Sequence, residues 1–323
     1  MDSLPTEIFN PLELNSFVGE SHAVLDFLSD YCKDVESYPA QSQVIPGFLK
    51  KGCPDYAPNS LELLESILDD VCNNIIPGLS LPSEIFNPLK LDSFFGESHA
   101  KATKLVGILP LNFRPITTLS SAEFALSPSD VRMAMKQDLT NGLFPLFFCA
   151  TIDTTAAGAV NPLIGLGLVA RDYGMWLHVD AAYAGSACIS PKFRPYLDGV
   201  ELCDSISMNP HKWFHTNMDC RCLWLTDRRS LIESLSTNPE FLKNKASESH
   251  DAVDFMDRQL TLSRRFRSIN LWVIIQRYGV ANLRNHVRKD VELAKHFDGL
   301  IATDCKFEVV VPRKFALVGF RLD

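Results

Sequence analysis

The sequence predicts an α/β protein with a mainly parallel sheet and flanking helices. Three observations carry that reading. Short apolar runs alternate with stretches of helical periodicity between residues 127 and 226. Helix punctuation falls between them: Ser127-Pro128 and Asn161-Pro162 as starts, Gly142 and Gly174 as stops. An acid followed by small residues, Asp180-Ala181-Ala182, closes one apolar run. Open α/β sheets place their ligand sites at the carboxyl ends of such strands.

Composition sets the bounds. A chain of 323 residues has room for two domains of ordinary size. With 46% hydrophobic and 22% charged residues it reads as a soluble globular protein. A net charge of −8 argues against a nucleic-acid partner. The single basic knot, Arg264-Arg265-Phe266-Arg267, reads as a local structural or cofactor-side cluster. Nine cysteines lack paired spacing. Cys220 and Cys222 suit one face of a strand better than a zinc site, so the thiols are expected to be reduced in a cytoplasmic protein. Met1-Asp2-Ser3 opens no signal peptide, and no apolar run approaches the about 18 residues of a membrane span.

In chain order, an internal repeat comes first. Residues 4–23 and 81–100 are nearly the same text, differing at Thr6/Ser83, Glu13/Lys90, Asn15/Asp92 and Val18/Phe95. Two separated copies do not make a solenoid; a duplication or a gene-model assembly error accounts for them. Residues 24–32 read as a helix with Leu25, Leu28 and Cys32 on one face. Asn59-Ser60 starts a second helix through Leu61, Leu64, Ile67 and Leu68, which Pro77-Gly78 ends.

Ser127 is an N-cap with proline at the first turn, and Val131, Met135 and Leu139 line one helix face. Residues 144–150 form an apolar strand. Leu163, Leu166 and Ala170 face inward on the next helix, and a strand over 175–179 leads to Asp180. Residues 222–226 are another strand, 231–235 begin a helix, and 236–257 are a polar loop. Two helices follow, 271–279 and 283–297, the second with Leu283, Val287, Val291 and Ala294 as an apolar stripe. Residues 307–311 and 315–320 read as strands.

The run 176–187 is answered downstream by Asn209-Pro210-His211-Lys212-Trp213. A lysine between a histidine and an indole, with an acid on an earlier strand end, suits a carbonyl cofactor. The lysine would join the aldehyde as a Schiff base and the acid would face a ring nitrogen. Such a lysine must be partly desolvated to lose its proton.

These two runs resemble the core of the group II pyridoxal-phosphate (PLP) amino-acid decarboxylases, in the branch of plant aromatic amino-acid decarboxylases and aromatic acetaldehyde synthases. The likeness is dense over 101–322 and again over 22–78. It implies the type I, aspartate-aminotransferase-like fold of PLP enzymes, here incomplete. The divisions it implies are an N-terminal helical arm with the repeat over 1–100, a partial PLP-binding large domain over 101–275, and the start of a small domain over 276–323. It implies a homodimer, or a heterodimer with a complete paralogue.

By the same resemblance Lys212 is the cofactor lysine and Asp180 the partner of the pyridine nitrogen. Asn209 reaches the phosphate, His211 the cofactor or substrate side, Ala182 packs on the ring, and Thr155 lies near the ring hydroxyl. Phe255 stands where decarboxylases of the family carry tyrosine. Phenylalanine there goes with aldehyde rather than amine as product, because it has no proton to return to the carbanion. The chain also departs from the family. The second repeat copy occupies the place of a phosphate-cradling turn and a stacking histidine, and His99 falls near that histidine only in the wrong register. Asp153 replaces a glycine, Arg258 a tryptophan and Ser263 a glycine. The reading is therefore a carboxy-lyase on aromatic L-amino acids. The alternatives are a catalytically inactive truncated paralogue that serves as a dimerisation partner, or an incomplete gene model.

Overall fold

Strands and helices alternate as the punctuation requires. The computed structural model describes residues 14–34, 37, 38, 44, 45, 47–78, 112–236, 258 and 266–322. In chain order its main elements are α1 (Leu14–Lys33), α2 (Phe48–Gly52), α3 (Leu64–Asp70), α4 (Pro128–Thr140), β1 (Phe147–Thr151), α5 (Leu163–Tyr173) and β2 (Trp176–Asp180). Then come β3 (Ser205–Met208), α6 (Pro210–Trp213), β4 (Cys222–Leu225), α7 (Arg228–Leu235), α8 (Ser268–Thr303), β5 (Phe307–Val309) and β6 (Phe320–Leu322). The chain divides into two compact units, Met1–Phe86 with Asp227–Asn285, and Asn87–Thr226 with His286–Asp323.

The first unit is helical where described. α1 starts ten residues ahead of the expected Val24, inside the first repeat copy, and its Phe17, Val18, Leu25 and Leu28 are exposed. His22 is also exposed. α3 starts at Leu64 rather than at Asn59-Ser60, because the Asn59 carbonyl is engaged elsewhere, by the Ala281 N–H at 3.0 Å. Leu64 and Ile67 are its buried face, and the chain passes through one π turn to the predicted stop at Gly78. The two expected helices near 280 are both present within the span named α8, and they meet at a kink at Gly279, whose backbone is not helical (φ 67, ψ 160). Glycine is required there, since a Cβ would lie 2.4 Å from the Ser60 backbone.

The second unit holds the sheet, ordered β1-β2-β3-β4, with the first three strands parallel and β4 antiparallel. Asp153 lies in the turn beyond β1 and Thr226 just beyond β4. The caps behave as the sequence indicates. Ser127 Oγ accepts the Asp130 N–H, Pro128 occupies the first turn of α4, and Gly174 closes α5 at φ 64. Leu163, Leu166 and Ala170 are buried. Met135 and Val131 are buried too, but Leu139 is 42% exposed and Asp138 takes the inward place, paired with Arg114. A 3.6-residue period carries the buried face from 131 and 135 to 138, not 139. Val287, Val291 and Ala294 of α8 are buried as predicted. The expected strand over 315–320 is reduced to β6, because Phe315 is fully buried against Phe193 and Tyr196 instead of lying in a ladder.

The turn after β1 shows why glycine suits position 153. Asp153 has φ 71, a left-handed conformation that costs a residue with a Cβ. Its N–H bonds Ala159 O at 2.9 Å, and its carboxylate is buried, with Oδ2 lacking a hydrogen-bond partner among the described residues. Burial pushes its carboxyl up to about 6, against the pull of Lys314.

Two outcomes follow for stability. Leu166→Ala should cost about 2–5 kcal/mol in denaturant unfolding, and Leu139→Ala less than about 1 kcal/mol. A carboxyl whose folded pKa is raised carries no penalty below its unfolded value and destabilises the fold increasingly as pH rises to the folded value. Asp153→Asn, which keeps a left-handed preference without the charge, should therefore match the parent near pH 3. Above pH 6 it should be more stable by about 1–3 kcal/mol, as read by denaturant unfolding at both pH values.

Candidate active site

Parallel pairing of β2 with β3 and antiparallel pairing of β3 with β4 bring three chain segments to one rim of the sheet. Asp180 ends β2, in register with Thr151 on one side and Ser207 on the other. Its Oδ1 accepts the Ala182 N–H at 3.0 Å, so the acid caps the turn that carries Ala182. Pairing continues past the strand ends: Ala181 N–H bonds Ser207 O at 2.9 Å, and Asn209 N–H bonds Ala182 O at 3.0 Å. That extension fixes the start of the Lys212 turn against the Asp180 turn.

α6 is a single turn with proline at its start, closed by Lys212 N–H on Asn209 O at 2.9 Å. Asn209 is buried, and its Oδ1 accepts from Arg221 Nε at 3.1 Å. His211 Nδ1 lies 2.7 Å from Cys220 O. A carbonyl oxygen only accepts, so Nδ1 carries the hydrogen and Nε2 is the acceptor of the neutral ring. The indole of Trp213 is only 4% exposed. It stacks on Tyr183 (centroids 4.5 Å apart, rings 4° from parallel) and donates from Nε1 to Asp290 Oδ2 at 2.7 Å. Asp290 Oδ2 also lies 3.3 Å from His286 Nε2. Burial, then the charges of Asp153 and Asp290, push the Tyr183 hydroxyl up to about 12. His215, at φ 54, packs on His286 with ring centroids 4.1 Å apart, and burial first, then His286, lowers its pKa.

Asp180, Ala182, Asn209, His211 and Lys212 thus converge through backbone hydrogen bonds, and Thr155 lies in the exposed turn beyond the adjacent β1. One expectation is corrected. Lys212 is exposed, not desolvated. Its aromatic neighbour is turned into the core and anchors the turn. Phe255, His99 and Ser263 fall outside the described residues. Sequence reasoning missed Tyr183, Arg221 and Asp290. Tyr183 sits inside the quoted 176–187 run, where the repeated small residues drew the reading instead. Arg221 was legible only as an odd neighbour of two cysteines. Asp290 contacts Trp213 from 77 residues away, and no local pattern announces that.

Comparison with known proteins gives the arrangement its setting. Residues 87–323 match the model of the pyridoxal-dependent decarboxylase conserved domain. The chain is 40% identical to a tyrosine decarboxylase of Papaver somniferum, over all of this chain and 84% of that protein. It is 39% identical to a phenylacetaldehyde synthase of a Rosa hybrid cultivar, over 98% of this chain and 82% of that one. Its fold is similar to the crystal structure of Catharanthus roseus tryptophan decarboxylase in complex with L-tryptophan. That match has TM-score 0.66 and 36% identity, over 98% of this chain and 86% of that one. The alignment to the Papaver enzyme runs over 431 positions against 323 residues here, so the difference of 108 positions has no counterpart in this chain. The described donor set fits a pyridoxal group: a carboxylate for a ring nitrogen and an amine for an aldehyde stand on neighbouring strand ends. The aspartate-aminotransferase-like α/β fold, the pyridoxal phosphate requirement and the carboxy-lyase class follow from these matches, and the chain belongs to the pyridoxal-dependent decarboxylase family.

Proposed function

We propose that this chain removes the carboxyl group of aromatic L-amino acids (tyrosine, phenylalanine, tryptophan or dopa), with Asp180 and Lys212 as the two ends of its cofactor site. The observation that carries the reading is the hydrogen-bonded continuation of β2 and β3 beyond their ends, which sets the Asp180 and Lys212 turns side by side. When bound, pyridoxal phosphate supplies an electron sink for the pair left at Cα as carbon dioxide departs. Asp180 holds a proton on the pyridine nitrogen by its negative charge. Lys212, on a turn anchored by Trp213, would hold the aldehyde end of the cofactor. Asn209 holds the phosphate side, and His211, with Nε2 as acceptor, stands toward the substrate. Ala182 gives the ring a flat, small contact, and Thr155 stands on the side of the ring hydroxyl.

Phe255 decides the product in this reading. A phenyl ring cannot return a proton to Cα, so in this reading dioxygen would take the electron pair and become hydrogen peroxide, and water would then release the carbon as an aldehyde and the nitrogen as ammonia. The similarity to the Rosa phenylacetaldehyde synthase supports that branch. The exposed apolar residues of α1, among them Phe17, Leu25 and Leu28, support a two-chain assembly in which the arm packs on a second copy. All nine cysteines are free thiols, which suits the reducing cytoplasm. No helix among the described residues is long and apolar enough to cross a membrane.

Purified protein mixed with pyridoxal phosphate should develop a visible absorbance band that Lys212→Ala abolishes. A band that survives in Lys212→Ala would remove the lysine from its role. Phe255→Tyr should shift the product from aldehyde to amine when both are measured by chromatography, and an unchanged product refutes the role of Phe255.

A further inference from the structure

The Lys212 turn is strapped to the start of β4 by two hydrogen bonds, His211 Nδ1 to Cys220 O at 2.7 Å and Arg221 Nε to Asn209 Oδ1 at 3.1 Å. The register Met208↔Cys222 sets the backbone of both segments. Arg221 is exposed and Asn209 is buried, so the guanidinium lies at the rim while its anchor lies inside. A chain of net charge −8 therefore presents two exposed cations here, Lys212 and Arg221. Asp180 belongs to β2, two strands from β4. Steps of about 4.8 Å between strands put those strand ends roughly 10 Å apart, with the Lys212 segment between them. The rim thus runs from a carboxylate, through an amine, to a guanidinium. A ligand that matches this order carries a protonated nitrogen at one end, a carbonyl in the middle and an anion at the other.

We infer that Arg221, held by Asn209, takes the phosphate monoester of pyridoxal phosphate. Arginine presents five N–H donors in a planar fork that suits phosphate, and Nε is fixed by Asn209. With its Oδ1 accepting from Arg221, Asn209 keeps its NH2 group as a donor toward the same anion. The pair supplies anion contacts from within the described site. The inference rests on the reading of Asp180 and Lys212 as the cofactor site.

The test compares two ligands. Protein freed of cofactor is titrated with pyridoxal phosphate and, separately, with pyridoxal, which lacks the phosphate, and the ratio of the two affinities is read from absorbance. Arg221→Gln should lower that ratio by about 10- to 100-fold, the loss of one charge-assisted contact, by weakening pyridoxal phosphate alone. Arg221→Lys should lower it by less, because the charge stays and the fork goes. Inorganic phosphate should compete with pyridoxal phosphate in the parent and lose that effect in Arg221→Gln. An unchanged ratio overturns the inference, and Arg221→Lys decides the point if Arg221→Gln fails to fold. Should the parent bind neither ligand, or should Lys212→Ala keep the absorbance band, the underlying site assignment fails, and the inference falls with it.

Discussion

The site depends on the parallel pairing of β2 and β3 and on its continuation past the strand ends. Parallel strands carry all their carboxyl ends to one rim, so a residue that ends β2 and a residue that follows β3 meet without any direct side-chain bond. The Ala181 and Asn209 N–H groups convert that tendency into fixed geometry, since each is bonded to the neighbouring segment. Shifting the register by one residue would turn the alternating inward side chains, Leu177 and Val179 among them, to the other face of the sheet. The position of the chemistry and the burial of the core are thus the same constraint.

The outer strands of the sheet, among the described residues, are not covered on all sides. β1 and β4 are its outer strands, and both have large apolar side chains exposed: Phe147 at 58% on β1, Trp224 at 52% on β4. Phe144 and Leu146, just before β1, are exposed as well. Each half-exposed side chain of this kind forgoes about 1–2 kcal/mol, a fraction of the full burial value. Apolar strand edges of this kind are templates for association with another chain.

Local chemistry was legible in the sequence; distant chemistry was not. Ser127, Pro128 and Gly174 announced the limits of their helices because caps and left-handed stops are decided within four residues. Asp180 at a strand end and Lys212 in the following turn were legible because the alternation of strand and helix fixes which ends share a rim. Leu139 was misassigned because a face drawn at a strict spacing of four drifts off a helix that turns every 3.6 residues. Phe315 was misassigned because an apolar run near the chain's end fits a strand and a plug equally well, and only Phe193 and Tyr196 decide between them. Asp290 and Arg221 were not legible because the groups they bond, Trp213 and Asn209, are brought to them by the fold and not by a local pattern.

Trp213 shows how a fold can hold a residue still without burying it. Successive residues of a helical turn point about 100° apart, so a turn that sends its indole inward presents the preceding lysine outward. The indole is gripped on its face by Tyr183 and at its nitrogen by Asp290, and the turn's first residue is tied to Ala182. The backbone that bears Lys212 is therefore fixed at both ends of the turn while the residue itself is exposed. Desolvating a lysine shifts its protonation and costs stability even with no ligand near. Anchoring its neighbour carries no such cost. The buried aromatic beside Lys212 thus gives its turn a rigid base.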